Sequence, residues 1–260
     1  MELILLYVVI GALTGLLAGL LGIGGGVITV PSLYYLLTWV GFPPDHIMHV
    51  SIGTALACTF TTSSASTWAH HQKKSVHWNY LGFMIPGLVI GCLSGVELAH
   101  FLSGEWLRRI FGGMAILIGL YFLFPKLPVP QFGRGPNPFL VLFGLFIGHL
   151  SSLLGVGGGI FTMPVLYGYP LPLTNAVATS SGATLVSSFV GTIAYLFVAR
   201  GEAPLPGTFG YINVLAFVCI SLGSVCTATI GAKLAHVAPT LVVKRIFAVA
   251  LSVTGLAMAI

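Results

Sequence analysis

The chain has 260 residues, of which 57% are hydrophobic and only 6% charged, with a mean hydropathy of +1.03. A soluble domain carries about 25% charged residues, so a soluble enzyme or binding domain is excluded. The net charge of +5 rests on ten basic and five acidic residues gathered between apolar runs, a pattern that speaks of membrane topology and against a nucleic-acid partner.

Apolar runs of the length needed to cross a hydrocarbon core, about 20 residues, fill most of the chain. In order they predict helices over Leu3–Leu21, Val27–Trp39, Ile47–Ala69, Trp78–Phe101 and Trp106–Phe124. After a proline-rich linker over residues 126–137 come Pro138–Leu154, Ile160–Tyr167, Thr174–Ala199, Tyr211–Ala235 and Leu241–Ile260. The opening M-E-L-I-L-L has no basic n-region and no small-residue cleavage site, so it reads as a first helix and not as a leader. The alternating ten-residue segments of a β-barrel are absent. The fold class is therefore an all-α polytopic membrane protein.

Two stretches repeat. Gly15–Leu33 reads G-L-L-A-G-L-L-G-I-G-G-G-V-I-T-V-P-S-L, and Gly148–Leu166 reads G-H-L-S-S-L-L-G-V-G-G-G-I-F-T-M-P-V-L. Gly22/Gly155, Gly24/Gly157, Gly25/Gly158, Gly26/Gly159, Thr29/Thr162 and Pro31/Pro164 coincide. Further on, Gly87 aligns with Gly223, Gly95 with Gly231, Glu97 with Lys233, and Thr54 with Thr179. The chain is thus one transmembrane domain over 1–260: a first repeat over 1–125 and a second over 138–260, each of five elements. Parity sets their relation. An odd count of crossings per repeat puts Lys73, Lys74, Lys126, Arg134, Lys233, Lys244 and Arg245 on one face and Arg108, Arg109 and Arg200 on the other; an even count splits the basic residues equally. Cytoplasmic loops carry the excess of Lys and Arg, so inverted repeats with both termini outside are expected.

Three adjacent glycines cost roughly 1 kcal/mol each in a helix interior, so their use lies in backbone freedom, close approach or exposed N–H groups. The segment after each cluster is short and reads as a half-helix. Broken elements of this kind, in inverted repeats, meet near the bilayer midplane and form substrate sites. The amides of Gly24, Gly25, Gly26 and Val27, with those of Gly157, Gly158, Gly159 and Ile160, would then offer N–H donors to an anion. Close helix packing by small residues is the alternative use of such glycines.

Hydroxyls donate without bringing charge into the bilayer; Thr54 and Thr179, one from each repeat, are the paired candidates beside the loops. His149 is the titratable group set deepest in a predicted span and is the candidate proton carrier. His46, His49, His70 and His71 fall at or near loops and are expected to be solvated. Cys58, Cys92, Cys219 and Cys226 all sit inside apolar runs without metal-ligand spacing and read as small buried hydrophobes. No H-E-x-x-H, G-x-S-x-G or Walker loop is present, and nothing calls for a metal or cofactor. The expected partners are a small anionic substrate and membrane lipid, and a homo-oligomer is compatible with the sequence.

The doubled G-L-L-G-[IV]-G-G-G-x-x-x-x-P resembles the sulfite exporter TauE/SafE family over essentially the whole chain. The resemblance implies a secondary transporter of sulfite or an organosulfonate in the cytoplasmic membrane; the residues alone say only small anion. An anion channel is the nearest alternative, and an intramembrane enzyme stands further off. One departure is that Ala18-Gly19 in the first copy faces Ser151-Ser152 in the second, making any hydroxyl contact there one-sided.

Overall fold

A computed structural model describes residues 2–21, 24–123, 132–133, 135–199, 205–234 and 240–260. Ten helices account for nearly all of it: α1 (Glu2–Leu21), α2 (Gly26–Trp39), α3 (Ile47–Gln72), α4 (Trp78–Phe101), α5 (Gly104–Leu123), α6 (Phe139–Leu154), α7 (Gly159–Tyr167), α8 (Leu173–Val198), α9 (Val214–Leu234) and α10 (Thr240–Ala259). Four of them, α1, α4, α5 and α8, contain stretches long and apolar enough to cross a membrane by length and composition. Large apolar side chains such as Leu5, Leu142, Phe146, Leu222 and Val253 are exposed, as they are where the surrounding medium is hydrocarbon.

Two small elements depart from the helical expectation. Pro44–His46 makes a short 3-10 turn ahead of α3. The start expected at Tyr211 is instead a strand pair, β1 (Thr208–Phe209) against β2 (Ile212–Asn213), turned at Gly210 with φ of +58°. Most of the linker, 126–131 and Arg134, lies outside the described residues, as do Gly22 and Ile23. Where the linker is described, the Phe132 amide donates to the Gly168 carbonyl and Asn137 Nδ2 donates to the Phe132 carbonyl.

Each glycine-broken pair is a hairpin. Tyr7 of α1 packs with Leu33 and Leu36 of α2, while nearer the tip Thr29 Oγ1 bonds Thr14 Oγ1 at 3.4 Å; the two limbs therefore run antiparallel. In the second repeat Leu166 of α7 shares an apolar cluster with Leu140 and Ile147 of α6.

Helix directions follow from the close approaches. Gly11 of α1 lies on Ile220 of α9 and Gly15 on Ser224, so α1 and α9 run parallel. Likewise Gly87 of α4 lies on Val141 of α6, Gly91 on Leu145 and Gly95 on His149. In each case a side chain on the glycine would overlap the partner's backbone. Small residues at such crossings bring membrane helices into backbone contact, and Thr227 Oγ1 adds a 2.7 Å bond to the Ala12 carbonyl. The first helix of each repeat thus packs against the fourth helix of the other. Counterpart helices do the opposite: Gly112 of α5 meets Gly255 of α10 while Gly119 meets Ala248, and Gly53 of α3 meets Tyr195 of α8 while Ser63 meets Ser188. Counterparts that run antiparallel are the signature of an inverted pair, as the charge bias predicts. The directions also fit one hairpin and three crossings per repeat.

Candidate functional site

The two hairpin tips meet where α3 and α8 cross, near the middle of each helix. Gly26 lies directly on the Gly155 carbonyl, and Gly24 faces the Val156 carbonyl. A side-chain carbon at Gly157 would stand 2.5 Å from Thr59 Cγ2 of α3 and 2.9 Å from Thr184 Cγ2 of α8; at Gly24 the same two methyls would stand 3.7 Å away. Thr59 and Thr184 are counterparts in the repeat, so one threonine from each half closes around both glycine loops. Sequence reasoning singled out neighbouring hydroxyls and passed over this pair. The signal that could have found it was its central place in two 26-residue helices.

The loops are not identical. Gly24 and Gly157 both have positive φ, +76° and +77°. Gly158 caps α7 at φ +76°, but its counterpart Gly25 caps α2 in right-handed backbone at φ −85°. The need for a left-handed conformation therefore holds at Gly158 and not at Gly25, where the crowding comes from the Thr14 methyl. Both half-helices open in the same manner. The amides of Ile28 and Thr29 bond the Gly25 carbonyl, and those of Phe161 and Thr162 bond the Gly158 carbonyl. Gly26, Val27, Gly159 and Ile160 stand ahead of those bonds, in the turn where amides find no helical acceptor. Thr29 and Thr162 return their hydroxyl protons to the same carbonyls at 3.0 and 2.9 Å.

Beside the first loop runs a crevice lined by Thr14, Gly25, Thr29, Thr59, Thr62 and Ser224, too narrow to admit a water molecule. Gly25, Gly26 and every residue from Gly155 to Ile160 are buried. No arginine or lysine of the described helices sits at this level. Arg108 and Arg109 lie in the first two turns of α5, Arg245 in those of α10, and Lys73 and Lys74 in the turn after α3.

Thr54 and Thr179 are placed otherwise than their pairing suggested. Both are fully buried. Thr54 Oγ1 accepts the Asn213 amide at 2.9 Å and Thr179 Oγ1 accepts the His77 amide at 3.0 Å. Asn213 and His77 are themselves counterparts, each just ahead of the fourth helix of its repeat. The pair braces two helix entries symmetrically and is not brought onto the glycines. His149 bonds Ser94 of α4 through Nδ1 at 3.0 Å and is half-exposed; it stands two positions before Ser151, which faces Gly158, and at about 100° per residue that sets the imidazole on the other side of α6. His49, expected in solvent, is buried with Nε2 2.9 Å from the Ala99 carbonyl and its ring on Tyr211. Cys58, Cys92 and Cys219 are buried as expected, whereas Cys226 is exposed on α9. Glu97 is on α4, but the Lys233 side chain lies outside what is described.

A family model described as "Sulfite exporter TauE/SafE" matches residues 7–258. A probable membrane transporter protein of Haemophilus influenzae is 29% identical over 98% of this chain and 97% of its own length. One from Methanocaldococcus jannaschii is 28% identical over 88% of this chain and 85% of its own, and one from Bacillus subtilis 26% over 97% and 98%. With nearly every residue from the first helix to the last under the match, the chain belongs to the sulfite exporter TauE/SafE family and is a membrane transporter, not an enzyme.

Proposed function

We propose that this transporter carries a small sulfur-containing oxyanion, sulfite or an organosulfonate, across the cytoplasmic membrane by alternating access. The anion is held by backbone N–H groups of the two glycine loops. The observation that carries this reading is the meeting of the two hairpin tips between the midpoints of α3 and α8, with half-helix N-termini at both loops. Amides at a helix N-terminus, together with the positive end of its dipole, favour an anion. The family's name supplies the sulfur chemistry.

The absence of lysine and arginine among the described residues at this depth fits a carrier that must also release its cargo. Neutral hydrogen bonds net about 0.5–1.5 kcal/mol each, which points to micromolar-to-millimolar affinity, roughly −8 to −4 kcal/mol. The buried loops and the crevice too tight for water support a closed carrier over an open anion channel. The test is sulfite flux into proteoliposomes, with binding measured on the purified protein against sulfite, sulfoacetate, sulfate and chloride. Saturable flux with a sulfur oxyanion preferred is expected. Non-saturating, channel-like flux, or no binding to any of them, would refute the reading.

A further inference from the structure

The hydroxyls around the glycine loops differ in whether their protons are already engaged. Thr29 and Thr162 donate to the carbonyls of Gly25 and Gly158. Thr62 donates to the Cys58 carbonyl at 3.2 Å, Ser187 to that of Gly157 at 2.8 Å, and Thr184 to that of Ser180 at 2.9 Å. A hydroxyl has one proton, so each of these can only accept further bonds and has nothing to give an anion. Thr14, beside the first loop, only accepts a longer bond from Thr29 at 3.4 Å, which leaves its own proton uncommitted. Two others have no partner of either kind. Thr59 Oγ1 and Ser151 Oγ are buried and without a hydrogen-bond partner among the described residues, with Thr59 1% and Ser151 0% exposed. A third such hydroxyl, Ser51, lies more than two turns before Thr59 on α3.

Both residues abut the second loop, and Thr59 also lines the crevice beside the first. Thr59 meets Gly157 through its methyl, and Ser151 Oγ would stand 3.4 Å from a side-chain carbon on Gly158. A buried donor left unmade costs about 1–3 kcal/mol, and such groups in native structures mark the place of a missing partner. The pseudo-twofold does not repeat the arrangement. Ser151 falls on Ala18, which has no hydroxyl, and the counterpart of Thr59 is Thr184, whose proton is taken.

Resting on the transport reading above, we infer that the substrate sits off the pseudo-twofold axis, at the second glycine loop, with Thr59 and Ser151 as its side-chain donors beside the opening amides of α7. Two separate hydroxyls and a row of amides match the several acceptor oxygens of a sulfite or sulfonate group. The site thus suits an oxyanion of the sulfite or sulfonate kind.

The experiment is calorimetric titration of sulfite and of chloride into the full-length protein in detergent, comparing wild type with Thr59→Val, Ser151→Ala, Thr59→Ser and, as the distant unpartnered hydroxyl, Ser51→Ala. Thermal melting reports folding of each. Loss of one donor should weaken sulfite roughly two- to tenfold, the range set by one neutral hydrogen bond. Thr59→Ser, which keeps the hydroxyl, should bind like wild type, and so should Ser51→Ala. Equal losses in Ser51→Ala and Thr59→Val, or unchanged binding in both Thr59→Val and Ser151→Ala, overturn the off-axis assignment while leaving the transport reading standing. So does a loss in folded Thr59→Ser as large as in Thr59→Val. Wild-type protein that binds no sulfur oxyanion overturns the transport reading itself.

Discussion

Replacing Gly157 by alanine should hurt this protein far more than the same change at its repeat counterpart Gly24, although both glycines have nearly the same φ, +77° and +76°. The shared part is backbone strain: a Cβ in left-handed conformation costs about 1–2 kcal/mol. The difference is space. At Gly24 the nearest atoms would be 3.5 Å or more from the new carbon, an ordinary contact, whereas at Gly157 the methyls of Thr59 and Thr184 would lie at 2.5 and 2.9 Å. Overpacking of that kind adds about 1–3 kcal/mol. Gly24→Ala should therefore cost about 1–2 kcal/mol and Gly157→Ala about 2–5 kcal/mol. At roughly 2–4 °C per kcal/mol for a chain of this size, the melting midpoint should fall by about 2–8 °C in the first and about 4–20 °C in the second. Intrinsic tryptophan fluorescence of detergent-purified protein reads both. The double variant Gly157→Ala/Thr59→Ser, which removes one of the two obstructing methyls, should recover part of the loss. Equal melting of the two single variants, or no recovery in the double, would show that the loops are not held between these threonines.

Thr54→Val and Thr179→Val should each strand a backbone N–H, buried at Asn213 and part-buried at His77, and destabilise by about 1–3 kcal/mol, the larger loss at Thr54, with sulfite affinity little changed; a large affinity loss in folded protein would return these hydroxyls to the site. His149→Gln should leave the pH profile of transport intact, because the imidazole is bonded to Ser94 on the far side of α6 from the loop. A flattened profile in proteoliposomes would make it the proton carrier after all. The topology proposed from the basic residues, with both termini outside, would put the end of α3 in the cytoplasm, so Gln72→Cys should resist a membrane-impermeant maleimide in intact cells and react in inside-out vesicles. Labelling from outside would invert the topology.

The positions of the helices were written in the sequence. Runs such as Trp78–Phe101 are bounded by turn residues and fit the bilayer, and in hydrocarbon a backbone has few alternatives to helix. The doubled glycine motif and the lopsided basic residues likewise foretold two inverted copies, since both are properties of the linear chain. Tertiary structure decided what depends on contacts between distant residues. That α1 lies on α9 and α6 on α4, interlocking the repeats, follows from glycine surfaces meeting across more than a hundred residues in one case and about fifty in the other. The left-handed backbone of Gly158 and the right-handed one of Gly25 arise from identical G-G-G triplets in different packing. Thr54 and Thr179 looked like a ligand pair because they align, but alignment is equally the mark of a symmetric brace. Thr59 and Thr184 look alike in sequence and share one location, yet only the packed structure determines which hydroxyl proton meets a carbonyl and which is left for a substrate.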